Sequence, residues 1–591
     1  MRALASRFGG RFNGCFLSRK VEPMTFARSW EAGLIGLGEA AQAEHLGQPV
    51  AAHVVLQTAM DEPFPAVLEA ALAAVMRWFN SPIRSVATAG NWALGDVHIL
   101  LSFAGGQSAL VSITQVAQGQ PQQELLLFGN HGVASWEGAG VTSWLAPAAT
   151  GEQEESGGVR LPAATDAVRQ LLATIRQQFE AAATAGPLGG AGVGQRGKVA
   201  AIASEALVSP PFGVLLVAGD YTHQPGYTDG LAADEHFRLV AVTDSSDVDE
   251  ARRTLNEQFA RRRNLPYFPD YQAALQRTDV SVVSICAEPH RRADLIVQAA
   301  EAGKHLYLDK PLCGSLAEAD RIVAAVRQAG VIAHMFSQAY WPPAQQARAW
   351  VRSGKLGTLK SIHLDLCFAK GYAGTAKLGA PRVETPIPDR FELPDAKREL
   401  TNVGVYSVVL VLWLFGRGVQ RVHATTGNYF FTEHQERNME DFSQILLELE
   451  GGMVATISAG RTGWRSHPSG GLNRICLVGS DATTVIDAYR PHVEIWSDRA
   501  AWAPPERDPS DPMGMWSPLP DSRFKADPKP TWGVPPTGTW NTDCQQFLQC
   551  LQGGQQSEIS IELAAAATEI LLAAYRSAAE QRPVTLPLPR A

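Results

Sequence analysis

From Gly213 onward, short apolar runs alternate with longer amphipathic ones. Val214–Ala218, Arg238–Thr243, Val280–Cys286, His305–Leu308 and Ile332–Phe336 read as strands. Between them Asp249–Arg262, Ala293–Ala302 and Leu316–Ala329 carry helical spacing. This alternation predicts a parallel, doubly wound sheet. Val403–Phe415 is a mostly apolar run shorter than the ~20 residues of a membrane span, so it reads as a buried helix. Three stretches follow neither period. Thr150–Gly158 is polar and acidic and reads as a loop, and Ala185–Gly197 is glycine-rich and reads as a linker. Ala503–Pro536 is proline-rich and reads as an irregular excursion, because proline lacks the N–H that helices and sheets use.

A second pattern spans the chain. Four blocks near the N-terminus resemble four near the C-terminus, in the same order. They begin at His45, Trp78, Asp96 and Leu126, and their counterparts at Lys355, Trp413, Asp441 and Cys476. Each set reads as a helix, strands joined by a Gly-Gly turn, and another strand. The expectation is an internal duplication; the alternative is that amphipathic strands with such turns look alike by chance.

The chain has 591 residues, enough for three or four domains of ordinary size. Hydrophobic residues make up 45% and charged residues 19%, so large cores are expected. A net charge of −8 disfavours a general nucleic-acid binder. The seven cysteines form no CxxC pair, which argues against a metal site and suits free thiols in the cytoplasm. Residues 1–23 hold basic residues but no apolar targeting core, and are expected to be a disordered tail.

Candidate chemistry begins after the first strand. Glycine-rich loops there let backbone N–H groups approach a pyrophosphate. Here the loop runs Gly219-Asp220-Tyr221-Thr222-His223-Gln224-Pro225-Gly226, so the G-x-G-x-x-G pattern is broken. Gly219, Thr222 and His223 remain candidate phosphate donors, while Asp220 opposes that charge. Asp244 ends the second strand, where an acid holds the adenine ribose; an acid there favours NAD, with NADP as the alternative. The competing reading of Asp244 is a helix N-cap. Gly33–Ala40 also contains paired glycines, but no strand ending in an acid follows, and it is set aside as a decoy.

Ala300–Leu312, AEAGKHLYLDKPL, closely resembles the A-x-x-A-G-K-H-V-x-x-E-K-P-L signature of the glucose–fructose oxidoreductase/inositol dehydrogenase/MocA family. VSVVSICAEPHRRADLIVQ before it, SGKLGTLKSIHLDL after it and the closing segment from Phe547 fit in order, so the resemblance covers about 211–589. It implies a Rossmann domain followed by an α+β domain with a mostly antiparallel open sheet, and an active site between them. The implied roles are catalytic for Lys310 and Tyr406, and cofactor contacts for Ala287, Glu288, His290, Asp309 and Lys310. Asp309 stands where the family has Glu. The family's D-x-G-x-H-x-x-D appears as Asn402 to Val409, with Tyr406 at the histidine position and both acids lost. A phenol beside an ammonium is expected to be acidified. Tyr340, Lys370, Asn402 and Tyr406 are candidate substrate contacts, with Trp341 and Tyr372 nearby; for the aromatic residues, a core role is the other reading.

The expected organisation is a tail over 1–23, a degenerate α+β sheet domain over 24–150, a helix and linker over 151–208, a Rossmann domain over 209–335 and a sheet domain over 336–591 with the excursion 503–536. The expected activity is NAD(P)-dependent oxidation or reduction of a secondary alcohol on a sugar, cyclitol or related polyol. The alternatives are an inactive dinucleotide- or sugar-binding homologue and an NAD-dependent glycosidase. No metal, nucleic acid or membrane is expected. The family's open sheet face is apolar and commonly mediates association. The N-terminal copy, with Ala71 at the position of Tyr406, is expected to cover it within a monomeric chain.

Overall fold

The computed structural model describes residues 46–60, 63–116, 123–136, 141–143, 165–184, 210–219, 223–369, 371, 374–385, 398–463, 471–488 and 540–590, together with 34, 37 and 38. The basic tail, both loops flanking residue 170, most of 33–40, Thr222, Lys370, Tyr372 and the proline-rich excursion lie outside them.

The N-terminal sheet contains β1 (Pro49–Ala59), β2 (Ile83–Asn91), β3 (Asp96–Phe103), β4 (Ser108–Val116), β5 (Gln123–Gly129), β6 (Val133–Trp136) and β7 (Val141–Ser143). Its order is β2-β3-β4-β1-β5-β6-β7. Helices α1 (Phe64–Phe79) and α2 (Asp166–Thr184) contribute to its core.

The central sheet contains β8 (Phe212–Val217), β9 (Phe237–Thr243), β10 (Tyr267–Phe268), β11 (Val282–Ile285), β12 (His305–Leu308) and β13 (Ala333–Met335). All neighbours are parallel, in the order β10-β9-β8-β11-β12-β13. Strand order reverses between β8 and β11, which opens a crevice at their carboxyl ends. Helices α3 (Gln224–Ala232), α4 (Glu250–Arg262), α5 (Pro289–Glu301) and α6 (Leu316–Ala329) connect the strands. Helix α5 starts at Pro289, earlier than its apolar spacing indicates, because proline is tolerated in a first helical turn.

The C-terminal sheet contains β14 (Leu359–Phe368), β15 (Val419–Gly427), β16 (Phe442–Leu449), β17 (Val454–Arg461), β18 (Gly471–Gly479), β19 (Thr483–Asp487) and β20 (Val584–Thr585). Helices α7 (Val405–Phe415), α8 (Trp540–Gly553) and α9 (Ile561–Glu580) belong to the same core. The order β19-β18-β14-β17-β16-β15 repeats β6-β5-β1-β4-β3-β2 strand for strand. In both sheets one pair is parallel, β1 with β4 and β14 with β17. Both carry a bulge at the matching place, between Pro49 and Ala51 and between Leu359 and Ser361.

The two sheets pack on each other. Val50, Leu126 and Phe128 share a cluster with Cys367, Phe430 and Phe442, and Leu100 and Leu110 share one with Leu446 and Val454. The packed face is more polar than the sequence indicates. Along β4, Ala109, Val111 and Ile113 join the helix-side core, so the alternating Leu110, Ser112 and Thr114 occupy the other face. His53 on β1 lies 2.7 Å from Asp365 on β14 and 3.0 Å from Thr456 on β17. The Thr456 hydroxyl is also 2.7 Å from His363, and Gln444 donates to the Ala52 carbonyl at 2.8 Å. An unpartnered buried polar group is costly, so these bonds within and between the sheets are what make a mixed face tolerable.

Candidate active site

The crevice between β8 and β11 is bordered by four strand ends. After β8, Ala218 takes a left-handed conformation (φ 62°), which disfavours a residue with a Cβ. The backbone thus makes a glycine-type turn one residue before the glycine the sequence offers. Gly219 serves close packing instead: a Cβ there would lie 2.9 Å from the Asn256 backbone on α4. Its N–H donates to Asn256 Oδ1 at 2.7 Å.

After β9, Asp244 is fully buried. Asn256 donates to one carboxylate oxygen at 2.9 Å; Arg291 and the Ser245 N–H donate to the other. Arg291 also holds Glu288 at 2.9 Å, and Glu288 pairs with Arg252. Asp244 is not a helix cap, since Asp249 accepts from Arg252 N at the start of α4. By position and charge Asp244 fits an adenine ribose; the Arg291 side chain, 20% exposed, holds the contact a ribose would take over.

After β11, Ala287 and Glu288 are buried and His290 is half-buried on the first turn of α5. After β12, Asp309 accepts from Tyr227 at 2.5 Å and lies 2.9 Å from His223 Nδ1. Burial raises its pKa, but His223, Arg292 and Lys310 outweigh that and hold it well below the usual carboxylate range. His223 is therefore turned toward a carboxylate. Arg292, unnoticed in the sequence, is fully buried. It donates to the carbonyls of Ala287 (2.6 Å), Asp309 (3.1 Å) and Pro311. It staples the β11 and β12 loops together and so aims Lys310, which precedes a cis proline.

Lys310 reaches across to the C-terminal unit. Its Nζ donates to the Asn402 carbonyl at 2.5 Å and to Asn402 Oδ1 at 2.8 Å. Burial lowers its pKa to about 8, with Arg461 and Arg292 acting in the same direction and Asp309 and Glu399 opposing them. Tyr406 begins its helix just below, with the Lys310 ammonium 4.8 Å from the ring centroid. The expected acidification of this phenol does not occur. The ammonium meets the ring face, and burial, with Asp309 and Asp543, pushes the pKa well above its ordinary value. Tyr340 belongs to an aromatic core, its ring 6.0 Å from both His334 and Trp413, rather than to a sugar-facing wall. Gln338, Ser407 and Asn473 do line a small cavity beside Tyr406, with Leu364 and Leu410.

Among the described residues no group of side chains is arranged to hold a metal ion, and no helix is long and apolar enough to cross a membrane.

Residues 219–337 match the family model described as oxidoreductase family, NAD-binding Rossmann fold, and residues 344–485 match the GFO/IDH/MocA C-terminal domain. The uncharacterized oxidoreductase YrbE of Bacillus subtilis is 24% identical over 267 residues, 45% of this chain and 71% of its own. The scyllo-inositol 2-dehydrogenase (NAD(+)) of the same organism is 24% identical over 344 residues, 57% of this chain and 86% of its own. The dTDP-3,4-didehydro-2,6-dideoxy-alpha-D-glucose 3-reductase of Saccharopolyspora spinosa is 26% identical over 225 residues, 37% of this chain. The match spans 61% of that reductase, less than two thirds of its length. Both family models match in the expected order around the crevice, so residues 219–337 and 344–485 carry the two domains of a GFO/IDH/MocA oxidoreductase.

Proposed function

We propose that the chain oxidises or reduces a secondary alcohol of a sugar, cyclitol or related polyol, using a nicotinamide dinucleotide bound across the β8–β11 crevice. The observation that carries this reading is Lys310: a buried amine with a pKa near 8, held at the crevice mouth by Asn402. When bound, the dinucleotide supplies the hydride acceptor or donor. Gly219, Thr222, His223 and Asp244 would border its phosphates and ribose, and Ala287, Glu288, His290 and Asp309 its nicotinamide half. Lys310 would take the hydroxyl proton in oxidation and return it in reduction, since its pKa lies near working pH. Tyr406 stays a neutral phenol and orients the hydroxyl. Gln338, Ser407 and Asn473 offer hydrogen bonds to a polyhydroxylated substrate, and Asn402 and Lys370 complete the proposed contacts. Two of the relatives named above act on cyclitol or sugar substrates by their names, which agrees with this substrate class. The test is NADH or NADPH formation across a panel of sugars and cyclitols at pH 7–10. Turnover of a polyol supports the reading; binding of dinucleotide without turnover of any panel member favours an inactive homologue instead, and release of an aglycone favours a glycosidase.

One observation favours that second reading: the oxygens of Asp244 are already taken by Asn256, Arg291 and Ser245 N–H. A binding protein would keep Arg291 in place until ligand displaces it.

The same proposal covers the N-terminal third. Residues 24–150 are read as a degenerate second copy of the sheet domain, packed where a partner subunit would sit, so the chain is expected to be monomeric. The shared strand order and matching bulges support this.

A further inference from the structure

The helix that carries Tyr406 is preceded by a widened turn over Leu400–Gly404. Glu399, immediately before it, is fully buried yet plays no part in the chemistry above. Asn402 Nδ2 donates to Glu399 Oε2 at 2.8 Å, while Asn402 Oδ1 accepts from Lys310. Arg461, at the end of β17, donates to the other Glu399 oxygen at 2.9 Å, and His434 lies 3.7 Å from it. We propose that Glu399 is a positioning residue for Lys310: its carboxylate fixes the Asn402 amide with oxygen toward the ammonium, and supplies one residue pair away the acid that position 402 lacks.

The argument is one of donors and acceptors. A carboxylate only accepts and an ammonium only donates, so an amide placed between them has one satisfied orientation. Turning it over would set NH2 against NH3+ and oxygen against carboxylate. A carboxylate at both 399 and 402 would instead put like charges side by side in a buried turn. The amide at 402 and the acid at 399 are thus a matched pair. Lys310 spends two N–H groups on Asn402, leaving a third for a substrate oxygen. The charged groups around it are Asp309 and Arg292 on the central unit and Glu399 and Arg461 on the C-terminal one. Glu399 is held ionised, at a pKa of about 2, against burial by Arg461 and His434.

This rests on the proposed role of Lys310, but its test reads the lysine without turnover. The full chain is treated with trace acetic anhydride from pH 6 to 11, and acetylation of Lys310 is followed by peptide mass spectrometry. The expected midpoint is about 8 for the natural chain. In Glu399→Gln it should fall by about one pH unit, since a favourable charge is lost. In the exchanged pair Asn402→Asp with Glu399→Gln it should return to the natural value or above, because a carboxylate again faces the ammonium. An unchanged midpoint in Glu399→Gln, no recovery in the exchanged pair, or a Lys310 that is never acetylated would overturn the proposal. An exchanged pair that does not fold also contradicts it, because that pair satisfies the same donors and acceptors. A chain that turns over no polyol would sink the proposed function and leave these midpoints as they are.

Discussion

The two outer sheets share strand order, a parallel central pair and matching bulges, yet they differ at one helix. In the C-terminal unit the helix beginning at Val405 follows Glu399 and Asn402 and carries Tyr406. In the N-terminal unit the buried side of its counterpart α1 is wholly apolar, and Ala71 stands, fully buried, where Tyr406 would be. The C-terminal helix faces the Lys310 turn of the dinucleotide fold; α1 packs on β1, β4 and α2. The same architecture thus holds polar chemistry only where a second domain supplies a cation for it. Without that partner, a buried tyrosine, amide and carboxylate would cost desolvation with nothing in return.

The largest effect that would sharpen this contrast is on chemistry. Lys310→Ala should reduce turnover by roughly 10²-fold or more while dinucleotide affinity changes little. Steady-state rates with separate nucleotide titrations check this, and near-normal turnover would end the assignment.

The next effect concerns what the N-terminal sheet covers. A chain beginning at 199 would expose His363, Asp365, Gln444 and Thr456, all buried in the full chain. Light scattering should find the full chain monomeric and the shortened one self-associating. A monodisperse, monomeric short form would break the subunit-mimic account. Within the full chain, Asp365→Ala leaves His53 without its 2.7 Å partner. A loss on the order of 2 kcal/mol is expected by urea denaturation, the scale of a hydrogen bond to a charged group.

A smaller effect is on pH dependence. The pKa of Lys310 is depressed from 10.5 to about 8 in the folded chain. Above pH 8 the folded state has released a proton that the unfolded state keeps until 10.5. Its contribution to stability therefore grows from pH 8 to 10.5 and is absent below 8. Oxidation should rise with pH through a midpoint near 8, and Lys310→Met should lack both features in rate and melting profiles. Smallest of all, Arg291→Ala should tighten NAD a few-fold by freeing Asp244, with NAD still preferred over NADP; calorimetry that finds NAD weakened would reverse this.

Much of this was legible in the sequence, for reasons that are local. Strand–helix alternation and the AGKHLYLDKP segment located the central sheet and Lys310, because period and turn chemistry are read within a dozen residues. The shared strand order of the two outer sheets showed in the Gly-Gly turns and paired blocks. Arg292, Asn256 and Glu399 escaped notice because their roles depend on partners that only the fold brings near, such as Arg461 for Glu399. Tyr340 stayed open between two readings for the converse reason: an aromatic residue next to a site looks the same in sequence whether it faces the cleft or the core. The sheet face read as apolar is mixed, since neither copy's strands reveal alone that His53 will meet Asp365.

The central claim is that this chain contains two sheet copies but one site, at Lys310. Calorimetric titration of the full chain with NAD tests it most directly. The account predicts one dinucleotide per chain, with the same stoichiometry in Lys310→Ala; two per chain, or none with either NAD or NADP, would contradict it.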